Sequence, residues 1–138
     1  MSPGSDRNQR IIDEFRANEG RVGGVFAGRT LLLLHTIGAK THEERVNPTA
    51  YVRDGKRFVI VASKGGADSN PGWYHNLVAH PRVTIEVGTA TLRARASIAQ
   101  EPERTRLYNK MVEMMPSFGE YPGRTKRIIP VIVLSPED

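Results

Sequence analysis

A chain of 138 residues holds one compact core and has no room for a second of comparable size. The absence of cysteine excludes disulfides and thiolate catalysis and removes the strongest zinc ligands. A net charge of +5 is compatible with an acidic partner, whether nucleic acid, an anionic cofactor or an anionic membrane surface. The cations are dispersed, no RNA-binding aromatic motif accompanies them, and a well-solvated surface accounts for most of them. No apolar run is long enough to cross a bilayer, and the N-terminus lacks the apolar centre of a signal peptide, so a cytoplasmic address is the default expectation.

Residues 6–19 predict an amphipathic helix with Ile11, Ile12 and Phe15 on one face. Residues 1–19 are read as helix and tail, and residues 20–138 as the main domain. Packing on the protein's own core is the ordinary fate of such a stripe. The sharper alternatives are a lid over a pocket and peripheral contact with a membrane surface, which would make the protein membrane-associated. A glycine-rich link then leads to a first buried strand at Thr30–Thr36. Gly38–Arg45 reads as a loop. Strands at Thr49–Arg53 and Lys56–Ala62 follow, joined by Asp54-Gly55, a strong hairpin signal.

Asn70 as cap and Pro71 as first-turn proline predict a short helix through Trp73, Leu77 and Val78, ended by Pro81. Arg82–Val87 alternates, with Val83, Ile85 and Val87 on one face. In Ala90–Ile98 the spacing turns Leu92, Ala94, Ala96 and Ile98 inward and Arg93 and Arg95 outward. Pro102 opens a helix to Met115, a polar-aromatic segment follows, and Pro130–Leu134 is the last strand. Roughly six hairpin-joined strands with flanking helices predict a mainly β, α+β fold built on an antiparallel barrel.

Most catalytic signatures are missing. The four histidines form no close-set ligand pair with acidic partners, so no metal site is expected. Ser63 lacks the G-x-S-x-G setting of a hydrolase nucleophile, and neither a dinucleotide fingerprint nor a Walker lysine motif is present. Two loops remain. Gly38-Ala39-Lys40-Thr41 with Arg45, and Ser63-Lys64-Gly65-Gly66, each place backbone donors and a cation at the end of a strand. Either lysine alone is an ordinary solvated side chain. If their strands are neighbours, the two loops converge on one phosphate or carboxylate. Trp73, just beyond the second loop, is either a core residue or a wall for a flat aromatic ligand.

With these residues in view, the chain resembles the deazaflavin-dependent nitroreductase family, a branch of the split β-barrel flavin and deazaflavin oxidoreductases. The likeness spans roughly residues 20–135. It rests on Gly38-Ala39-Lys40-Thr41 with Arg45-Val46-Asn47-Pro48, on Val61–Gly66, and on Asn70-Pro71-Gly72-Trp73-Tyr74-His75-Asn76-Leu77. It is completed by Val78-Ala79-His80-Pro81, by Met115-Pro116-Ser117-Phe118 with Tyr121, and by Ile129-Pro130-Val131.

The resemblance implies a split barrel of the FMN-binding type that binds coenzyme F420, an 8-hydroxy-5-deazaflavin with a phosphate and an oligoglutamate tail. It places Lys40, Arg45, Ser63, Lys64 and Gly65 at the phosphate and nearby polar atoms, and Ala62, Gly72 and Trp73 along the ring. The implied activity is hydride transfer from the reduced coenzyme to a quinone, an enone or lactone, or a nitroaromatic. Members active on nitroimidazoles carry tyrosines along the segment where this chain has Met115 and Phe118, neither of which donates a hydrogen bond. Substrate protonation then falls to Tyr121, Ser117 or solvent. An F420 carrier without turnover and an FMN-dependent relative of the same barrel are the alternative readings.

Overall fold

The computed structural model describes residues 3–18, 31–64, 69–123, 125 and 128–137. Seven strands form one antiparallel sheet: β1 (Leu31–Ile37), β2 (Glu44–Ala50), β3 (Val52–Asp54), β4 (Arg57–Val61), β5 (Arg82–Val87), β6 (Ala90–Ile98) and β7 (Val131–Pro136). Helices α1 (Pro3–Ala17), α2 (Gly72–Ala79) and α3 (Glu103–Met114) flank it, with a 3-10 segment at Pro116–Gly123.

The strand order is β2-β1-β5-β6-β7-β4-β3. The two outermost strands are halves of one stretch, separated only by Tyr51, so chain continuity draws the sheet's edges together and curls it into the expected barrel. Each neighbouring pair is antiparallel, and four such steps separate β1 from β4. The two strands therefore run the same way, and Ile37 and Val61 end at the same rim. That parity is what positions the site.

Alternating side chains divide between two faces. The inner face of the barrel gathers Leu32, Leu34, Phe58, Ile60, Ile85, Ala94, Ile132 and Leu134, and Leu77 of α2 closes one end. The outer face of β4 and β7 packs Val59, Val61, Val131 and Val133 against Leu107, Tyr108 and Met111 of α3, with Met115 and Phe118 beyond. Ile12 and Phe15 of α1 are buried on the outward-facing Leu31 and Leu33 of β1, so the stripe of α1 is spent on the protein's own sheet.

Several boundaries differ from the sequence reading. Glu44–Ala50 is a strand rather than a loop ending, which raises the count to seven. Its exposed and half-buried residues give no alternation, and Pro48 is tolerated because β2 is an edge. In the β3–β4 hairpin Asp54 is still paired with Arg57, so the turn is Gly55-Lys56, with φ 62° at Gly55. Pro71 is the N-cap of α2 rather than its first helical residue, and no side chain caps the helix. Val78, on the helix with Leu77, is exposed, and so is Ile98, expected to face in. The first falls on the solvent side of a one-faced helix, and the second lies at the last residue of β6, beyond the inner core.

Two ion-pair clusters tie the layers. Asp54 accepts from Arg106 of α3 at 3.3 Å and pairs with Arg57 and, at 3.5 Å, Lys110. Glu86 of β5 accepts from Arg16 of α1 at 2.7 and 3.0 Å and meets Nε2 of His35 at 2.6 Å. Hydrogen bonds from Arg106 and Arg57 hold the Asp54 carboxyl well below the usual carboxylate range, and those from Arg16 and His35 lower Glu86. A carboxylate depressed by folding stabilises the native state above its unfolded pKa of about 4 and loses that contribution as pH falls. Denaturant midpoints measured from pH 6 to 3 are expected to decline below about pH 4. Asp54→Asn should be less stable at pH 6 and show a shallower decline; an unchanged slope would remove the Asp54 cluster from the acid response.

Candidate active site

The β1–β2 loop is closed on itself. Gly38 N–H donates to the Glu43 carbonyl at 2.7 Å, and His42 N–H donates to the Gly38 carbonyl at 2.9 Å. A Cβ at Gly38 would collide with the Thr41 hydroxyl, so a side chain there would force Thr41 to shift. Lys40 stands exposed at the tip, with no ion-pair partner among the described residues. Arg45, in β2 opposite Thr36, is exposed and paired with Glu43 at 3.4 Å.

The second loop leaves β4 at the same rim. Ala62 is buried, its N–H donating to the Pro130 carbonyl at 3.0 Å, and Ser63 is one of two buried polar residues in the described chain. Lys64 has φ 48°, in the left-handed region, and among the described residues its exposed ammonium reaches the Ser69 hydroxyl at 3.3 Å. Gly65 lies outside the described residues. The chain then enters α2. A Cβ at Gly72 would meet nothing, so that position faces open space, while Trp73 is half-buried against the inner core.

The loops do not meet through neighbouring strands, as the sequence reading supposed; β5, β6 and β7 separate β1 from β4. Their link is α2. Asn76 accepts from Ala39 N–H at 3.0 Å and donates to the Thr36 hydroxyl at 3.1 Å, and the His42 ring sits edge-on to His80 with centroids 5.6 Å apart. Sequence reasoning assigned no role to Asn76 or Thr36. A polar residue at i+3 from Trp73, beside a buried leucine, was the available signal.

Ser117 and Tyr121 belong to a different layer. Tyr121 lies edge-on to Phe118 at 5.0 Å and packs with the outer cluster, where Tyr108 donates to the Phe118 carbonyl at 2.6 Å. Gly119, between them in sequence, walls a cavity of about 470 Å³ with Thr105, Asn109, Val112 and Ile128. This cavity is a poorer place for an anion: the carboxylate of Glu101 lines it, and the guanidinium of Arg104, which also lines it, donates to the Ile129 carbonyl at 2.8 and 3.0 Å. The rim is the better candidate. It offers two cations without a carboxylate partner among the described residues, a buried hydroxyl, and an indole beside an open glycine. Such a set suits a ligand with an anionic arm and a flat aromatic body.

Comparison with known proteins identifies the family. Residues 8–136 match the model of a family described as F420H2-dependent quinone reductase. An F420H2-dependent quinone reductase of Mycobacterium tuberculosis is 43% identical over 125 residues, covering 88% of this chain and 84% of that protein. The solved structure of an F420H2-dependent reductase is 34% identical, with a TM-score of 0.72 over 78% of this chain and 95% of that one. A haem storage protein of Vibrio cholerae, at 19% identity and a TM-score of 0.60 over 95% of this chain and 91% of its own, shares the fold alone.

Proposed function

The chain belongs to the F420H2-dependent quinone reductase family, and from that membership we propose an oxidoreductase that takes its hydride from reduced coenzyme F420 and delivers it to a quinone. The observation that supports the reading is the rim itself: β1 and β4 end on the same side with Lys40, Ser63 and Lys64 beyond them, and Asn76 ties the Lys40 loop to the helix that carries Trp73. When bound, the reduced coenzyme supplies the hydride from its deaza carbon.

The chain's own residues bind and orient. Lys40, Lys64 and Arg45 would hold the phosphate with the Ser63 hydroxyl. Trp73, Ala62 and the open side of Gly72 line the ring. A quinone that accepts a hydride also needs a proton to become the hydroquinone; with Tyr121 and its segment packed in the outer layer, away from the rim, solvent is the proposed source rather than Tyr121 or Ser117. Enone lactones and nitroaromatics make the same demand and fall within the proposed range of acceptors. Met115 and Phe118 are buried in the outer core, so their lack of a hydroxyl does not favour a carrier without turnover. With Ile12 and Phe15 also buried, a membrane contact through α1 would rest on other residues of that helix.

Trp73 is the sole tryptophan, so its fluorescence reports on the rim. Titration with F420 is expected to give saturable quenching, FMN none, and the reduced complex should be oxidised by a soluble quinone. Tight FMN binding without F420 binding would move the protein to the flavin branch. F420 binding without quinone turnover would leave a carrier.

A further inference from the structure

Asn76 satisfies two unlike partners at once. Ala39 N–H can only donate, so it takes Oδ1 at 3.0 Å, and this leaves Nδ2 to donate to the Thr36 hydroxyl at 3.1 Å. Thr36 is 1% exposed, so the second bond anchors the amide in the barrel wall where water does not compete. The first bond reaches the residue directly before Lys40. Trp73 lies one turn earlier on the same helix face as Asn76 and Leu77. The Asn76 amide therefore supplies the hydrogen-bonded tie between the Lys40 loop and the helix of the indole, beside the edge-on contact of His42 with His80. Within the loop itself the hydrogen bonds close Gly38 on His42 and Glu43 and do not reach α2.

We propose that Asn76 is a positioning residue for the coenzyme: it sets the separation between the cation that meets the phosphate and the indole that meets the ring. The inference rests on the F420 reading above and adds a residue that touches neither the anion nor the reacting atoms. A ligand carrying both parts needs that separation to be held in advance, because a mobile loop would lose freedom on binding. A ligand carrying only the ring does not use it.

The test is Trp73 fluorescence titration with two ligands, F420 and the same deazaflavin lacking its phosphate and glutamate tail. Asn76→Ala is expected to weaken F420 binding about tenfold while leaving the truncated ligand within about twofold of wild type. That variant also strands the buried Thr36 hydroxyl and risks misfolding. Asn76→Leu combined with Thr36→Val removes both polar partners together, keeps the branched shape of the two side chains, and loses the tie to Ala39. With a near-native melting temperature, it should show the same selective loss. F420 binding at wild-type strength in the double variant, or equal losses for both ligands, would overturn the proposal and leave Asn76 as a helix-seating residue. Failure of the wild-type protein to bind F420 would overturn the cofactor reading beneath it.

Discussion

Replacing Leu77 by alanine is expected to cost about 2–5 kcal/mol of folding stability, a large share of the roughly 5–15 kcal/mol that holds a domain of this size. The helix that carries it has eight residues and no side-chain cap, too short to persist unless its apolar face is buried. Leu77 is its only fully buried side chain, 2% exposed at the end of the inner core with Ile85 and Leu34 in the same cluster. Alanine would remove that plug and leave a cavity the short helix can only partly close. The thermal midpoint should fall by roughly 6–20 °C. Val78 is the internal control, because it is the neighbouring residue and 56% exposed; Val78→Ala should stay within about 0.5 kcal/mol of wild type. F420 affinity should fall with Leu77→Ala as well, since Trp73 and Asn76 ride on the same helix. Equal stability of the two variants would mean that α2 is not seated by Leu77.

The contrast between Leu77 and Val78 also shows what could be read from the chain alone. Strands with both faces covered were legible: the runs at Leu31–Leu34 and Phe58–Val61 are buried throughout, and continuous apolar sequence says so directly. Strand β2 was not. Glu44, Arg45 and Pro48 carry no apolar period, and what makes the segment a strand is the hydrogen-bonding edge of β1, a partner remote from local propensity. The components of the rim were legible for the same local reason, because glycine, serine and lysine at strand ends are visible one loop at a time. Their assembly was not. It depends on the parity of four antiparallel steps and on Asn76 reaching Thr36 and Ala39, some 40 residues earlier in the chain. Ser117 and Tyr121 show the converse. Sequence alone set them beside the other candidates, whereas their segment packs on the outer face with α3.

Lys40→Ala and Lys64→Ala should each weaken F420 binding by about 1–3 kcal/mol, roughly 5- to 150-fold, if each ammonium makes a charge-assisted hydrogen bond to the coenzyme. The reason to single them out is that neither charge is answered by a carboxylate among the described residues. Lys40 is exposed at the loop tip, and Lys64 meets the neutral Ser69 hydroxyl at 3.3 Å. Arg45 already faces Glu43 at 3.4 Å, so Arg45→Ala should cost less than either lysine. Both lysines are solvent-exposed, so folding stability should be nearly unchanged, and the affinity of the wild-type protein should fall with added salt more steeply than that of either variant. Lys64 needs a second substitution because its φ of 48° makes backbone and side chain separable. Glycine adopts that conformation freely and alanine does not. Equal loss of affinity in Lys64→Ala and Lys64→Gly assigns the effect to the ammonium, whereas recovery in Lys64→Gly assigns it to the loop's backbone. Unchanged affinity at both Lys40 and Lys64 would take the two lysines out of the site and leave Trp73 and Ser63 without the charge that an anionic coenzyme requires.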